Sequence, residues 1–149
     1  MVQIALADPE SARPLLEASH ALMQSLYNPE ENHFLGFDAL RQPDIRFFTA
    51  TEAGRLLGCG ALQIKEGYGE VKSFFTAPEA RGRGIGTALL ATIEATARAQ
   101  SLPLLRLETG DALAAACRLY ERAGFTRRPA FGAYPENGVS VFMEKPLAP

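Results

Sequence analysis

The chain reads as one α/β domain in which a mixed, mostly antiparallel central sheet is flanked by helices, and three observations predict it. Three β-rich apolar stretches, 45–52, 56–65 and 68–76, are separated only by Ala53-Gly54 and Glu66-Gly67, turns of hairpin length. Segments with apolar residues at helical spacing then alternate with short strand patterns, which implies a strand, helix, strand crossover. The length of 149 residues suits a single domain able to bury a core without disulfide or metal staples, so the domain is expected to fill 1–149.

In chain order, a short apolar start (3–7) runs into Asp8-Pro9-Glu10, a capping carboxylate, an N1 proline and an early acid that open a helix. Leu15, Ser19, Leu22 and Leu26 give that helix one face as far as about Tyr27, where Asn28-Pro29 ends it. The polar and aromatic stretch from Glu30 to Asp44 reads as loop, with one short helical piece around Asp38 to Arg41. The three-strand meander comes next, and its last strand leads through Ala77-Pro78 to Arg81-Gly82-Arg83-Gly84-Ile85-Gly86. The helix after that turn carries Ile85, Leu89 and Ile93 on one face up to about Gln100. A strand at 104–108 and a helix at 111–123 follow, closed by Gly124 at the left-handed C′ position. Two closing strands, 125–128 and 139–145, flank the turn-rich Ala133-Tyr134-Pro135-Glu136-Asn137-Gly138.

With 47% hydrophobic and 21% charged residues the chain has the make-up of a globular protein, and a net charge of -2 supplies no field that draws it to nucleic acid or to an anionic membrane. The start lacks the basic region and long apolar run of a signal peptide, and no stretch of about 18 apolar residues occurs, so a soluble cytoplasmic protein is expected. Cys59 and Cys117, the two cysteines, lie in apolar segments without zinc-site spacing; buried inert thiols and no metal are the expectation.

The strongest chemical signal is the glycine-rich turn between strand and helix. Glycines let the backbone approach a ligand closely, the first amides of the helix have no intrahelical acceptor, and the helix dipole favours phosphate oxygens there. Arg81 and Arg83 add positive charge. A Walker loop is excluded because no Gly-Lys-Ser/Thr follows, and a dinucleotide-binding turn is excluded because Thr87 stands where its third glycine belongs. The bland alternative is a tight turn and nothing more.

The run from Phe74 to Leu90, Phe-Phe-Thr-Ala-Pro-Glu-Ala-Arg-Gly-Arg-Gly-Ile-Gly-Thr-Ala-Leu-Leu, resembles the acetyl-CoA signature of the GNAT superfamily, Gln/Arg-x-x-Gly-x-Gly/Ala. Leu119-Tyr120-Glu121-Arg122-Ala123-Gly124-Phe125 resembles the same superfamily's downstream Leu-Tyr-x-x-x-Gly-Phe block. Leu107-Glu108-Thr109-Gly110 and Ser140 to Lys145 look like a bacterial subgroup acting on small molecules. The resemblance implies the GNAT fold and acetyl-CoA as cosubstrate. The pyrophosphate would lie on Arg81, Gly82, Arg83, Gly84, Ile85, Gly86 and Thr87, and the backbone of Phe74, Phe75 and Thr76 would meet the pantetheine arm where the strand splays from its parallel neighbour. One departure is Leu113, which stands where relatives often carry an asparagine that contacts pantetheine. Homodimers are common among such proteins.

Acyl transfer to an amine needs a neutral nucleophile, stabilisation of the developing oxyanion and a proton for the leaving thiolate. By register with the superfamily Glu70 is the expected base, the alternative being a solvated carboxylate paired with Lys72, its neighbour on the same strand face. Tyr120, at the position where relatives place a tyrosine near the thioester sulfur, is the expected proton donor, the alternative being a core residue with a satisfied hydroxyl. His20 and His33 fit solvated or structural roles better than that of a base. The expected reaction is direct transfer from acetyl-CoA to a primary amine of a small molecule or peptide. A covalent route through Cys59 or Cys117 ranks behind it for want of a basic partner. A non-catalytic acyl-CoA sensor is the rival function. The loops 27–44 and 131–138, aromatic and mildly acidic, are expected to line a pocket for a cationic or amphipathic amine.

Overall fold

The structure, a computed structural model, describes residues 1–147. Seven strands form one sheet: β1 (Gln3–Leu6), β2 (Ile45–Glu52), β3 (Arg55–Lys65), β4 (Tyr68–Thr76), β5 (Leu104–Gly110), β6 (Thr126–Arg128) and β7 (Ser140–Pro146). Four helices accompany them: α1 (Arg13–Leu26), α2 (Phe37–Leu40), α3 (Ile85–Ala99) and α4 (Ala114–Arg122). The order across the sheet is β1-β2-β3-β4-β5-β7-β6, and β4 with β5 is its parallel pair. The mixed, mostly antiparallel sheet flanked by helices is thus the one the sequence predicts.

The local chemistry accounts for the boundaries. Asp8 Oδ1 accepts from the Glu10 amide at 2.8 Å and opens a short 3₁₀ turn, Pro9–Ala12, that leads into α1. The β2–β3 hairpin turns through Ala53 and Gly54, both at positive φ (51° and 79°), the conformation that a tight hairpin demands. Leu15, Leu16 and Ser19 of α1 are buried and Leu22 packs partly buried against the core, whereas Leu26 at the end of the helix stays 41% exposed. The fourth helix starts three residues later than the periodicity suggests. Its would-be first residues are tied in a turn: the Ala112 amide donates to the Tyr27 hydroxyl at 2.9 Å, and the Leu113 amide to the Gly110 carbonyl at 3.0 Å.

The core is continuous around the sheet. Leu89, Leu90 and Ile93 of α3 are fully buried with Leu62 of β3, Leu105 and Leu107 of β5 and Met143 of β7. Each such side chain contributes about 1.5 to 3 kcal/mol on leaving water, before the entropy of ordering it is set against that gain. One feature of topology escapes the linear pattern. The last two strands do form a hairpin-like antiparallel pair, but β7 inserts between β5 and β6, so the closing strand lies next to the parallel pair and β6 becomes the sheet edge. Among the described residues no helix is long and apolar enough to cross a membrane.

Candidate active site

The parallel pair is short. It joins Gly69, Glu70 and Val71 to Leu105, Arg106 and Leu107, and beyond Val71 strand β4 has no strand partner on that side while β5 continues along β7 to Gly110. A bulge drives the separation. The β3–β4 register shifts between Cys59 and Ala61, Ser73 takes a positive φ of 52°, and Cys59 Sγ donates to the Ser73 carbonyl at 3.4 Å. Phe74, Phe75 and Thr76 therefore lie on the free flank of a splayed strand, where backbone groups are open to a ligand. The Phe74 ring rests 5.7 Å from that of Tyr120.

At the far end of the splay stands the N-terminus of α3. Gly82 and Gly84 have φ of 80° and 78° with open space on the side where a Cβ would stand, and the first intrahelical bond runs from the Ala88 amide to the Gly84 carbonyl at 3.0 Å. The amides of Ile85, Gly86 and Thr87 are thus left without an intrahelical acceptor, which suits a phosphate oxygen. Gly86 has a different task from Gly84: a Cβ there would meet Leu119 Cδ2 of α4 at 2.9 Å, so its missing side chain lets two helices meet. The two arginines also differ. Arg83 is held by Glu52 at 2.5 Å on the β2–β3 hairpin, whereas Arg81 lies 5.7 Å above the Phe75 ring with no carboxylate partner among the described residues. Arg81 is the cation free to meet an anion.

Between these elements opens a cleft of about 110 Å³, walled by α1, the loop after it, the splayed ends of β4 and β5, α4 and the start of β7. Tyr120 lines it, 5% exposed, and its hydroxyl has no protein hydrogen bond among the described residues. Burial first, then the nearby Cys117 and Glu108, hold its phenol above the ordinary range, so it keeps its proton at neutral pH. Leu113, Ala116 and Phe74 make the neighbouring wall apolar.

Glu70 is 2% exposed, so the alternative reading keeps its pairing with Lys72 but not its solvation, and Glu70 does not border the cleft. The Tyr134 hydroxyl donates to its Oε2, and Lys72 Nζ approaches the same oxygen at 3.4 Å. Lys72 Nζ also donates to the Tyr134 hydroxyl at 2.6 Å and to the His33 carbonyl at 3.2 Å. The carboxylate that does line the cleft is Glu108 on β5, which accepts from Ser140 Oγ at 2.8 Å. Burial pushes its pKa up, against the opposing effects of the Ser140 hydrogen bond and Lys72. Sequence reasoning missed Glu108 as a site residue, since only the splay of β5 from β4 exposes that side chain; its place in Leu-Glu-Thr-Gly was the one available signal.

His33 also lines the cleft, with Nε2 buried and unpaired and its ring edge-on to Tyr134 at 5.2 Å, so of its solvated and structural readings the geometry favours the structural one. His20 stacks on Phe34 at 4.0 Å, a packing role. Of the two loops expected around the pocket, the first supplies Glu31, Asn32, His33 and Phe34 to the wall. The second packs behind it, Phe131 and Tyr134 meeting at 5.3 Å, while Val139 and Ser140 reach the lining. Both cysteines are buried, and burial pushes the Cys59 thiol up to about 12 and raises Cys117 as well, so neither is poised as a nucleophile. Among the described residues no His, Cys, Asp or Glu cluster could hold a metal ion.

Comparison with known proteins agrees with this geometry. The profile of the Acetyltransferase (GNAT) family matches residues 12–125. The chain is 47% identical over 135 residues to the IAA acetyltransferase of Azospirillum brasilense, covering 89% of this chain and 88% of that one. It is 38% identical over 122 residues to the uncharacterised N-acetyltransferase YsnE of Bacillus subtilis (strain 168), covering 80% and 81%. Among solved structures, a candidate acyl-CoA N-acyltransferase from Klebsiella pneumoniae superposes with a TM-score of 0.86 at 35% identity over 99% of both chains. The paiA N-acetyltransferase of Thermoplasma acidophilum, solved with coenzyme A, shares the fold with a TM-score of 0.75 at 18% identity, over 98% of this chain and 99% of that one. A sheet opened at its parallel pair, a helix start with free amides beside the opening, and sequence matches across most of the chain lead to one assignment: the chain belongs to the GNAT family of acetyltransferases.

Proposed function

We propose that this protein transfers the acetyl group of acetyl-CoA directly to a primary amine of a small molecule or peptide, within a ternary complex. The observation that carries the reading is the continuity of three parts: free amides at the start of α3, the unpartnered flank of β4 beyond Val71, and a cleft holding Glu108 and an unpaired Tyr120 hydroxyl. The cosubstrate supplies an activated thioester. Arg81, Gly82, Gly84, Ile85, Gly86 and Thr87 would hold its phosphates, with Arg83 available once released from Glu52. Backbone groups of Phe74, Phe75 and Thr76 would hold its arm.

The protein's own groups divide the proton work. Glu108, raised by burial and bordering the cleft, is suited to take a proton from an ammonium directly or through one water. Tyr120 retains a proton for the leaving thiolate. Glu70, engaged by Tyr134 and Lys72, acts in this reading by fixing Lys72 and the loop that carries Tyr134, rather than as the base in contact with substrate. Direct transfer is favoured over a covalent route because both thiols are buried and raised. The reading takes the family domain to fill residues 1–149 and the protein to work in the cytoplasm, in keeping with its two unpaired thiols.

The test is a thermal-shift titration with CoA and acetyl-CoA, followed by free-thiol release over an amine panel. Stabilisation by the native-state ligand together with amine-dependent thiol release is expected. Stabilisation without release over the whole panel would favour a sensor, and no stabilisation at millimolar CoA would refute the reading.

A further inference from the structure

Glu108 is held from one side by a directed chain of hydrogen bonds. In the β5–β7 register Ser140 stands opposite Gly110, which offers it no side chain, and Glu108 lies two residues along β5 on the same face. Ser140 Oγ donates to Glu108 Oε2 at 2.8 Å, and Asn137 Nδ2 donates to Ser140 Oγ at 3.1 Å. The orientation of the Asn137 amide is fixed, because its Oδ1 accepts from the Val139 and Ser140 amides at 3.0 and 2.8 Å. A hydroxyl has a single proton to give, so with Asn137 donating to its oxygen, Ser140 directs that proton to the carboxylate.

The other carboxylate oxygen is left open. Among the described residues Oε1 of Glu108 has no hydrogen-bond partner, and it is not one of the unpartnered polar atoms sealed from solvent, while the residue itself borders the cleft. One oxygen anchored and the other accessible suits a carboxylate that must meet an ammonium, or its bridging water, in one orientation. Lys72 and Glu70 on β4 act on Glu108 in opposite senses, the first lowering its pKa and the second raising it. Arg106, on β5 itself, is engaged by Glu144. Tyr27 at the end of α1, Tyr120 on α4 and Tyr134 in the loop before β7 are phenols that burial first holds above the ordinary range, so they carry no charge at pH 7. In the loop after α1, His33 is neutral because burial first and Lys72 second lower it, and Glu31 is a further carboxylate of the cleft wall. Among the described residues Ser140 alone donates a hydrogen bond to Glu108, and its effect on that carboxyl ranks next after burial.

Resting on the reading of Glu108 as the base, we propose that Ser140 is a positioning residue that fixes Glu108 Oε2 and leaves Oε1 for the amine, and that Asn137 aims the Ser140 hydroxyl. The same bond favours the charged carboxylate and offsets part of the effect of burial, so that less of the base is protonated at a given pH. Asn137 thus serves the site from the turn before β7 without lining the cleft itself.

A carboxyl-carbon NMR titration of the full chain, with the Glu108 signal assigned by its loss in Glu108→Gln, reads this pKa without any acceptor. Removing a donor from the charged form raises the pKa, so Ser140→Ala should move it up by about 1 pH unit and Asn137→Ala should move it the same way. Ser140→Thr, which keeps the hydroxyl, should restore the wild-type value. The acid limb of kcat/KM, from thiol release with acetyl-CoA and the fastest amine of the panel, should follow the titration in each variant, with the CoA thermal shift as in wild type. The amine's own titration is common to all the variants and drops out of the comparison. A Glu108 pKa unmoved in Ser140→Ala overturns the proposal even where turnover falls, since a merely structural residue lowers the rate at every pH and leaves the titration in place. A titration that moves while the acid limb stays also overturns it. An acid limb that survives in Glu108→Gln, or no thiol release over the whole panel, refutes the base reading and the proposal with it, whereas an unmoved titration with the limb lost in Glu108→Gln leaves the base reading standing and removes Ser140 alone.

Discussion

Replacing Tyr120 with phenylalanine removes one oxygen and keeps the ring, and the structure makes the two consequences separable. The ring is packed against Phe74 at 5.7 Å and Phe125 at 5.9 Å, whereas the hydroxyl meets no protein partner among the described residues. Deleting an unpaired hydroxyl removes no favourable protein hydrogen bond, so stability should change by less than about 0.5 kcal/mol. For a chain of this size that is a melting shift of at most about 2 °C. If the phenol protonates the thiolate, kcat and kcat/KM should fall together by about 10²-fold to 10⁴-fold, or about 2.7 to 5.4 kcal/mol of barrier. Steady-state thiol release under saturating acetyl-CoA gives the kinetics, and thermal melts with and without CoA give the stability. Tyr120→Ala is the contrast, expected to lose about 3 to 5 kcal/mol through the cavity left by the ring. A wild-type kcat in Tyr120→Phe would refute the assigned role, and a large loss of stability would refute the unpaired hydroxyl.

Three other expectations follow from the same geometry. Glu108→Gln should lower kcat/KM by about 10²-fold or more and abolish an acid limb that, because burial raises this carboxyl, lies above the ordinary value of about 4.3; a pH–rate profile checks both. Glu144 accepts from Arg106 and Arg128 at 2.7 Å each, and the Arg106 hydrogen bond first holds its carboxyl below the ordinary range. A lowered folded pKa means stability that is present above the unfolded value and lost as pH falls through the folded one, so Glu144→Gln should cost about 1 to 3 kcal/mol near neutrality and flatten the acid limb of urea-melt stability. Gly86→Ala places a Cβ 2.9 Å from Leu119 Cδ2, and should cost about 1 to 3 kcal/mol, partly restored by Leu119→Ala in the same chain; thermal melts of the single and double variants decide it.

The meander, the glycine-rich turn and the helix after it were legible because each is written in local chemistry: hairpin turns at Ala53-Gly54, apolar residues at Ile85, Leu89 and Ile93, and glycines where φ is positive. The free amides at the start of α3, proposed above to hold phosphate, belong to the same class, since they and Gly84 are properties of a few neighbouring residues. What lay beyond the linear chain was decided by contacts between distant segments. Whether Glu70 or Glu108 borders the cleft depends on where β4 parts from β5, and that follows from a bulge opposite Gly60 that no periodicity announces. Gly86 carries a signal for close approach, but its neighbour proved to be Leu119, 33 residues on. His33 gained its place in the wall only when its loop folded onto Lys72 and Tyr134. Backbone conformation is set largely by each residue and its neighbours, so sequence reveals it; burial, pairing and pKa depend on which remote groups pack together, and only the tertiary structure brings those groups to one place.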